Sequence, residues 1–322
     1  MRFTFWNARL CCASARRGLT QIELVVVVGV LSIALSMSIP AVQAARETAR
    51  LTECQNNLRQ IALGAHQFHA SHGHLPTNGW GFGWIGTAMK GGDRNQPGGW
   101  IFQLLPFIEQ DALYQTTKVQ NPAEQKAALG RLTQVAIPIM KCPTRPTASM
   151  GEQSAIFQYR NAETFSMVTR TDYAVNEGDW ISNTGPGPNS DAKVDLSTYP
   201  WINESEVTGV SWERGSVFLE QIYDGTSNTY FVGEKRISDS PTDWGHDQSM
   251  FSGVDIDTTR WTTSAPGPDG KLADPIERRF GSAHPTGCNM SMCDGSIRLV
   301  VYSIHPDLHR GAGNRKDGKP NN

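Results

Sequence analysis

Apolar and polar positions divide this chain into an apolar run, a one-sided stripe and a long stretch of short strand-like and turn-like segments. From Leu19 to Val42 nearly every residue is apolar or small, and Glu23 is the only acid. A membrane-spanning helix needs about 20 such residues. Leu24 to Ile39 alone is short of that, whereas Leu19 to Val42 reaches it. Ser32, Ser36 and Ser38 interrupt the run, but backbone carbonyls or neighbouring helices can take their hydroxyls. Beyond it, Leu51, Cys54, Leu58, Ile61, Ala65 and Phe68 recur at steps of three and four, which marks one buried helix face. Arg46, Glu47, Arg50, Glu53, Arg59 and Gln60 occupy most of the other faces, and Gly73 and Pro76 end the pattern. The pattern predicts one helix from Leu19 to Ser71, roughly 75 Å long, with Pro40 as the point where it kinks.

Further along, Gln103 to Tyr114 reads as a short helix despite Pro106. Asn121-Pro122 reads as a cap followed by proline at the first helical position, with the helix running to Leu132. Strands are expected at Val135 to Met140, Tyr173 to Val175, Gly215 to Ile222 and Thr229 to Ile237. Phe280 to Tyr302 reads as a hairpin turning at Asp294-Gly295. The segments 182–205 and 238–275 read as loops. The fold class is therefore α+β: a long N-terminal membrane helix packed on a β-rich, loop-rich domain. The expected divisions are a basic leader over 1–18, the helix over 19–74, the β-rich domain over 75–310 and a disordered tail over 311–322.

Charge adds orientation. The first 18 residues carry Arg2, Arg9, Arg16 and Arg17 and no acid, so this end is expected to stay cytoplasmic and the rest to lie outside. Without those arginines, 25 basic residues face 31 acidic ones, a net charge of −6, which does not suit nucleic acid or an anionic surface. Cys54, Cys142, Cys288 and Cys293 remain past the leader, in an oxidising compartment where disulfides persist. Cys288 and Cys293 are five apart in an apparent strand, so their side chains face opposite ways. This favours a Cys54–Cys142 disulfide; four buried thiols are the alternative.

Arg16-Arg17-Gly18-Leu19-Thr20-Gln21-Ile22-Glu23, followed by Leu24-Val25-Val26-Val27-Val28, resembles the N-terminal signal of type IV prepilins and type II secretion pseudopilins. The resemblance implies that prepilin peptidase cleaves between Gly18 and Leu19 and N-methylates Leu19. Glu23 then becomes the fifth mature residue and Pro40 the twenty-second, where many pilins have proline. It further implies that the Glu23 carboxylate pairs with the Leu19 amine of a neighbouring subunit during assembly. Leu19 stands where the family usually has Phe, and Gln21 where it often has Leu. An ordinary secretory signal cut after Ala44 is the competing reading, and Glu23 inside its apolar core argues against it.

A second resemblance runs through His284, nine further residues and Asp294-Gly295, a C-terminal signature of a large bacterial family with a prepilin-type N-terminus and a domain of unknown function. Cys54-Gln55-Asn56-Asn57-Leu58-Arg59-Gln60-Ile61, Lys141-Cys142-Pro143, Asp224-Gly225-Thr226-Ser227-Asn228-Thr229 and Gly233-Glu234 also match it. Pro40 to Glu47 does as well. The family often has Ser-Asp after the Cys-Pro pair, where this chain has Thr144-Arg145.

No catalytic set stands out. A His284–Asp294 pair could orient a nucleophile, but no nucleophile context accompanies it, and a structural role for both is favoured. His66, His69, His72 and His74 lack the convergent partners of a metal site. Pro306 is expected to disrupt the helix that His305 and His309 would need to act together. Asp239, Asp243, Asp247, Asp255 and Asp257 fit no calcium-loop spacing and read as a solvated acidic loop. No metal or other cofactor is expected, and the chain is not expected to be an enzyme. The leading expectation is a structural prepilin-like subunit of the inner membrane, single-pass with its N-terminus cytoplasmic. Its expected partners are prepilin peptidase and other pilin-like subunits in a pseudopilus or surface filament. The alternative is a membrane-anchored module that binds glycans or other solutes through exposed Trp- and Asn-rich loops.

Overall fold

The computed structural model describes residues 20–145, 150–153, 158–182, 185–238, 243–270 and 278–318, with only the backbone for 193–195. The chain divides into two units, Met1–Thr48 and Ala49–Asn322. Helix α1 (Gln21–His72) contributes to both and contains Pro40 without interruption.

In the first unit the helix is long and apolar enough to cross a membrane. Ile22, Leu24, Val30, Leu35 and Ile39 are among its exposed apolar side chains. The hydroxyls of Ser32, Ser36 and Ser38 donate to the carbonyls of Val28, Ile33 and Ala34. No serine on this stretch therefore depends on water.

In the second unit the predicted stripe is the buried face: Cys54, Leu58, Ile61, Ala65 and Phe68 are at most 1% exposed. Five further helices are described: α2 (Trp100–Leu104), α3 (Asp111–Gln115), α4 (Pro122–Leu132), α5 (Lys193–Thr198) and α6 (Pro306–Gly313). The strands are β1 (Met150–Glu152), β2 (Met167–Thr169), β3 (Tyr173–Asn176), β4 (Ser211–Trp212), β5 (Gly215–Ser216), β6 (Tyr230–Glu234), β7 (Thr259–Arg260), β8 (Gly267–Pro268), β9 (Gly281–Ser282), β10 (Gly287–Met292) and β11 (Ile297–Val301). Five of them form the central sheet, in the order β11-β10-β6-β3-β7. Its pairs are antiparallel except β3 with β7. Every residue of β3, β6 and β10 is buried, so the sheet is covered on both faces. Alternation divides β3: Tyr173 and Val175 join the core that holds Leu58, Ile61 and Phe68, while Ala174 joins a second cluster with Phe280, Met290 and Ala312.

Several expectations change. The 103–114 helix breaks at Pro106 into α2, a 3-10 turn at Leu105–Phe107 and α3, because proline cannot donate to the preceding turn. Val135 to Met140 is not a strand; Pro138 opens a 3-10 turn, Pro138–Met140. Of Gly215 to Ile222 only Gly215–Ser216 pairs, and Leu219–Gln221 is a 3-10 turn. Pro306 does not disrupt a helix but starts one: His305 is the N-cap of α6, with its ring accepting from Asp307 N–H. The disordered tail expected from 311 is also overturned. Gly311 to Arg315 is buried, and Arg315 donates to the carbonyls of Val207 and Gly209. Residues 319–322, like the leader 1–18, lie outside the described residues.

The Trp-rich loops are mostly interior. Trp80, Trp84, Trp100, Trp212 and Trp261 are buried, leaving Trp180 and Trp244 as the exposed ones among the described residues. The acidic loop is not solvated either. Asp243, Asp255 and Asp257 are buried and accept from the N–H groups of Ser238 and Gly245, Ile256, and Gln248 respectively. Burial, and next the charge each presents to the other, pushes Asp255 above the ordinary carboxylate range. Fully buried Lys235 is driven down to about 7 by the same loss of water. Asp239 lies outside the described residues.

The helix face gives a direct test. Ile61→Ala should destabilise the domain by about 2–5 kcal/mol through a core cavity. Leu63→Ala, on the exposed side of the same turn, should change stability by less than about 0.5 kcal/mol. Chemical denaturation of the two variants checks the contrast, and equal losses would place the buried face elsewhere.

Candidate functional site

Two places carry chemistry. The first is the helix start. Gly18 and Leu19 lie outside the described residues, and α1 begins at Gln21. Glu23 therefore sits in the first helical turn, at the head of the apolar run. Its Oε2 accepts from Thr20 N–H at 2.8 Å and from Thr20 Oγ1 at 3.0 Å, while Glu23 N–H donates to Thr20 Oγ1 at 3.2 Å. This is a reciprocal cap of the form Thr-x-x-Glu. The signal was present in the sequence as Thr20 followed three residues later by Glu23. The carboxylate also faces the positive end of the helix dipole.

The second place is a buried cluster in the β-rich domain. Cys54, Cys142, Glu234 and His284 are each at most 1% exposed, and one donor atom from each lies within 4.8 Å of all the others. Four separate elements deliver them. Cys54 belongs to the stripe of α1. Cys142 follows the Pro138–Met140 turn, and Asn57 Nδ2 ties this loop to the helix by donating to Lys141 O at 3.0 Å. Glu234 ends β6, where the preceding Gly233 leaves space that the Met290 thioether of β10 fills. His284 precedes β10; its N–H donates to Ser282 Oγ, and Tyr302 OH donates to its carbonyl.

The loop around Cys142 is fixed by charge. Asp172 accepts from Cys142 N–H at 2.7 Å and from Lys141 Nζ at 3.0 Å, and Arg145 NH1 is 3.4 Å away. Arg145 grips Asp269 with Nε at 2.8 Å and NH2 at 3.1 Å. This charged group is almost fully enclosed and is tolerable only because it is paired.

Inside the cluster, His284 Nε2 lies 3.4 Å from Glu234 Oε1 and 3.6 Å from Cys142 Sγ. Thr144 Oγ1 is 3.3 Å from His284 Nδ1. Glu234 Oε2 accepts from Asn289 N–H at 2.6 Å and from Asn289 Nδ2 at 3.1 Å, whereas Oε1 accepts no hydrogen bond. Cys54 and Cys142 are free thiols with their sulfurs 2.6 Å apart, longer than a disulfide of about 2.05 Å. The hydrogen bond from Cys54, and next the one from His284, holds Cys142 down to about 7 against the effect of burial. The bond to Cys142 and burial push Cys54 up. Two soft sulfurs, an imidazole and a carboxylate make a donor set for a divalent cation; the two sulfurs alone are a disulfide in waiting.

Cys54 and Cys142 stand together as expected, but as two buried thiols rather than the favoured disulfide. Spacing along the chain connects neither of them to Glu234 or His284. The signal was available: the stretches around Cys54 and Cys142, Gly233-Glu234 and the His284 signature all carry the second resemblance, and each delivers one member of the cluster. Asp294 is not the acid facing His284. It is exposed at the β10–β11 turn, where its Oδ1 accepts from Ser296 N–H and Oγ, and Gly295 takes φ +84°. Cys288 and Cys293 are buried thiols, both held high by burial. Of the four neighbouring histidines, His72 stacks on Phe68 and His74 lies against Leu75 O and Ser216 Oγ.

Fold and site thus define an α+β chain with one apolar helix long enough to cross a membrane and a buried Cys-Cys-Glu-His cluster in its β-rich domain. The chain belongs to a family of proteins of unknown function, DUF1559, whose match covers residues 43–307. That match includes all four cluster residues and the Asp294-Gly295 turn, and it begins beyond the basic and apolar N-terminal segment. No curated protein and no solved structure matches the chain.

Removing Asp172 tests the charged support. Asp172→Ala strips Lys141, Arg145 and the Cys142 N–H of their shared acceptor and should cost about 3–5 kcal/mol. Lys90→Ala, which breaks the exposed Lys90–Asp191 pair, should cost under about 1 kcal/mol. Thermal unfolding of both variants decides; a mild effect of Asp172→Ala would show that the loop is held by other contacts.

Proposed function

We propose that this chain is a prepilin-like structural subunit, held in the inner membrane with its N-terminus cytoplasmic, processed by prepilin peptidase and assembled through α1 into a type II secretion pseudopilus or type IV pilus-like filament. The observation that supports this reading best is the row of exposed apolar side chains from Ile22 to Val42, preceded by Arg16-Arg17-Gly18 and headed by Glu23. Such a surface has to be covered, first by lipid and then by the same helix of neighbouring subunits. Glu23 is the one charged residue in that row, so it needs a partner in either setting. Thr20 supplies hydrogen bonds within the chain, and the amine of a neighbouring Leu19 supplies an opposite charge once subunits associate.

Processing and assembly are separable experimentally. The mature chain is expected to begin with N-methylated Leu19, read by mass spectrometry, and Gly18→Glu should leave the leader attached. Glu23→Val should be inserted and cleaved normally yet be missing from sheared filaments or the secretion complex. A mature chain starting at Ala45 would remove the filament reading, and normal incorporation of Glu23→Val would remove the role given to its carboxylate.

A further inference from the structure

We propose that Cys54, Cys142, Glu234 and His284 bind one Zn2+ ion in a closed tetrahedral site that locks the β-rich domain onto α1. The inference stands apart from filament assembly and concerns the Ala49–Asn322 unit alone.

Glu234 Oε1 carries the argument. It is enclosed, accepts no hydrogen bond and lies 3.4 Å from His284 Nε2, a costly arrangement for a carboxylate unless a cation joins the two. The edges of the cluster fit zinc in two of three cases. With Zn–N and Zn–O of about 2.0–2.1 Å, a tetrahedral N–O edge is about 3.3 Å. His284 Nε2 and Glu234 Oε1 are 3.4 Å apart. With Zn–S of about 2.3 Å the S–N edge is about 3.6 Å, and Cys142 Sγ is 3.6 Å from His284 Nε2. The S–S edge should be about 3.8 Å, against 2.6 Å here. Thus His284 Nε2 already stands at ligand spacing from both Glu234 Oε1 and Cys142 Sγ, and Cys54 has to withdraw from Cys142 by about 1 Å.

The surroundings are those that metal ligands require. Asn289 holds the second oxygen of Glu234 through two N–H donors. Thr144 meets the far nitrogen of His284, and Asp172 fixes the backbone of Cys142. Four protein donors and no access to water make the site structural rather than catalytic. Binding converts two thiols to thiolates and releases their two protons to solvent. A Cys54–Cys142 disulfide is the competing outcome. It would require an oxidant to take two electrons, with loss of two protons, and it would leave Glu234 Oε1 with only the His284 ring, at 3.4 Å, to face.

The test uses the full chain purified in detergent with Zn2+ present and no chelator. One zinc per chain is expected by native mass spectrometry and elemental analysis. A chelator should lower Tm and added Zn2+ restore it, and Co2+ in its place should show thiolate-to-cobalt charge-transfer absorption. Glu234→Gln, which keeps the shape of the side chain, and Cys54→Ser should each weaken zinc binding at least about tenfold. His284→Cys, which replaces one donor by another, should retain it. Two results would overturn the proposal. One is a zinc-free chain with Cys54 and Cys142 recovered as a crosslinked peptide. The other is full zinc occupancy that survives both Glu234→Gln and Cys54→Ser.

Discussion

A carboxylate without access to water sits at the end of the central strand, and the rest of the domain is arranged around keeping it there. Glu234 closes β6, which is flanked by β3 and β10 and buried at every position. A lone buried charge of this kind costs several kcal/mol. Asn289 on the adjacent strand satisfies one oxygen, and the other is turned toward His284 and the two cysteines. Gly233, paired with Met290, leaves room for the Met290 thioether on that face. The pairing of Met290 with Gly233 puts Asn289 beside the carboxylate. One acid therefore links strand register, glycine placement and the approach of α1.

A second layer of charge supports the first. Asp172 precedes β3 and is held against the loop that carries Cys142 by Cys142 N–H and Lys141 Nζ. Arg145 joins that loop to Asp269 and to the carbonyls of Asp172 and Lys235. Groups of this type contribute little net stability but select one arrangement over others, since any misplacement strands a charge. The domain has short strands and long connections, and such charge pairing gives its loops fixed positions that hydrophobic contact alone would not specify.

Patterned segments were legible in the sequence: the stripe of α1, the cap at Asn121, the strands at Tyr173 and Tyr230, and the Asp294-Gly295 hairpin. Each rests on local periodicity or on the chemistry of a single turn. What failed was set by context. Val135 to Met140 has strand composition, yet Pro138 makes it a turn. Pro306 reads as a helix breaker but occupies the first helical position, where its missing N–H is harmless. The tryptophans around Trp80 and Trp84 suggested an exposed platform and instead fill the core, because glycines such as Gly79, at φ +72°, fold the loop back on itself. The buried cluster was hidden for a simpler reason. Its residues lie on four segments far apart in the chain, and spacing rules detect only ligands that share a helix, strand or loop. Glu23 is the opposite case: its cap with Thr20, three residues away, is legible as Thr-x-x-Glu.

The place of β10 in the sheet has a consequence for how the chain matures. It lies between β11 and β6, although it is synthesised after β3, β6 and β7. Until residues 287–292 have emerged, β6 keeps an open edge of unpaired amides and carbonyls, the kind of surface on which strands of other chains add. A chain interrupted before this point also lacks His284 or has nothing to hold it. Truncation before residue 287 would therefore leave a sticky, unfinished sheet rather than a smaller domain, and that open edge distinguishes an incomplete chain from one that has gained β10.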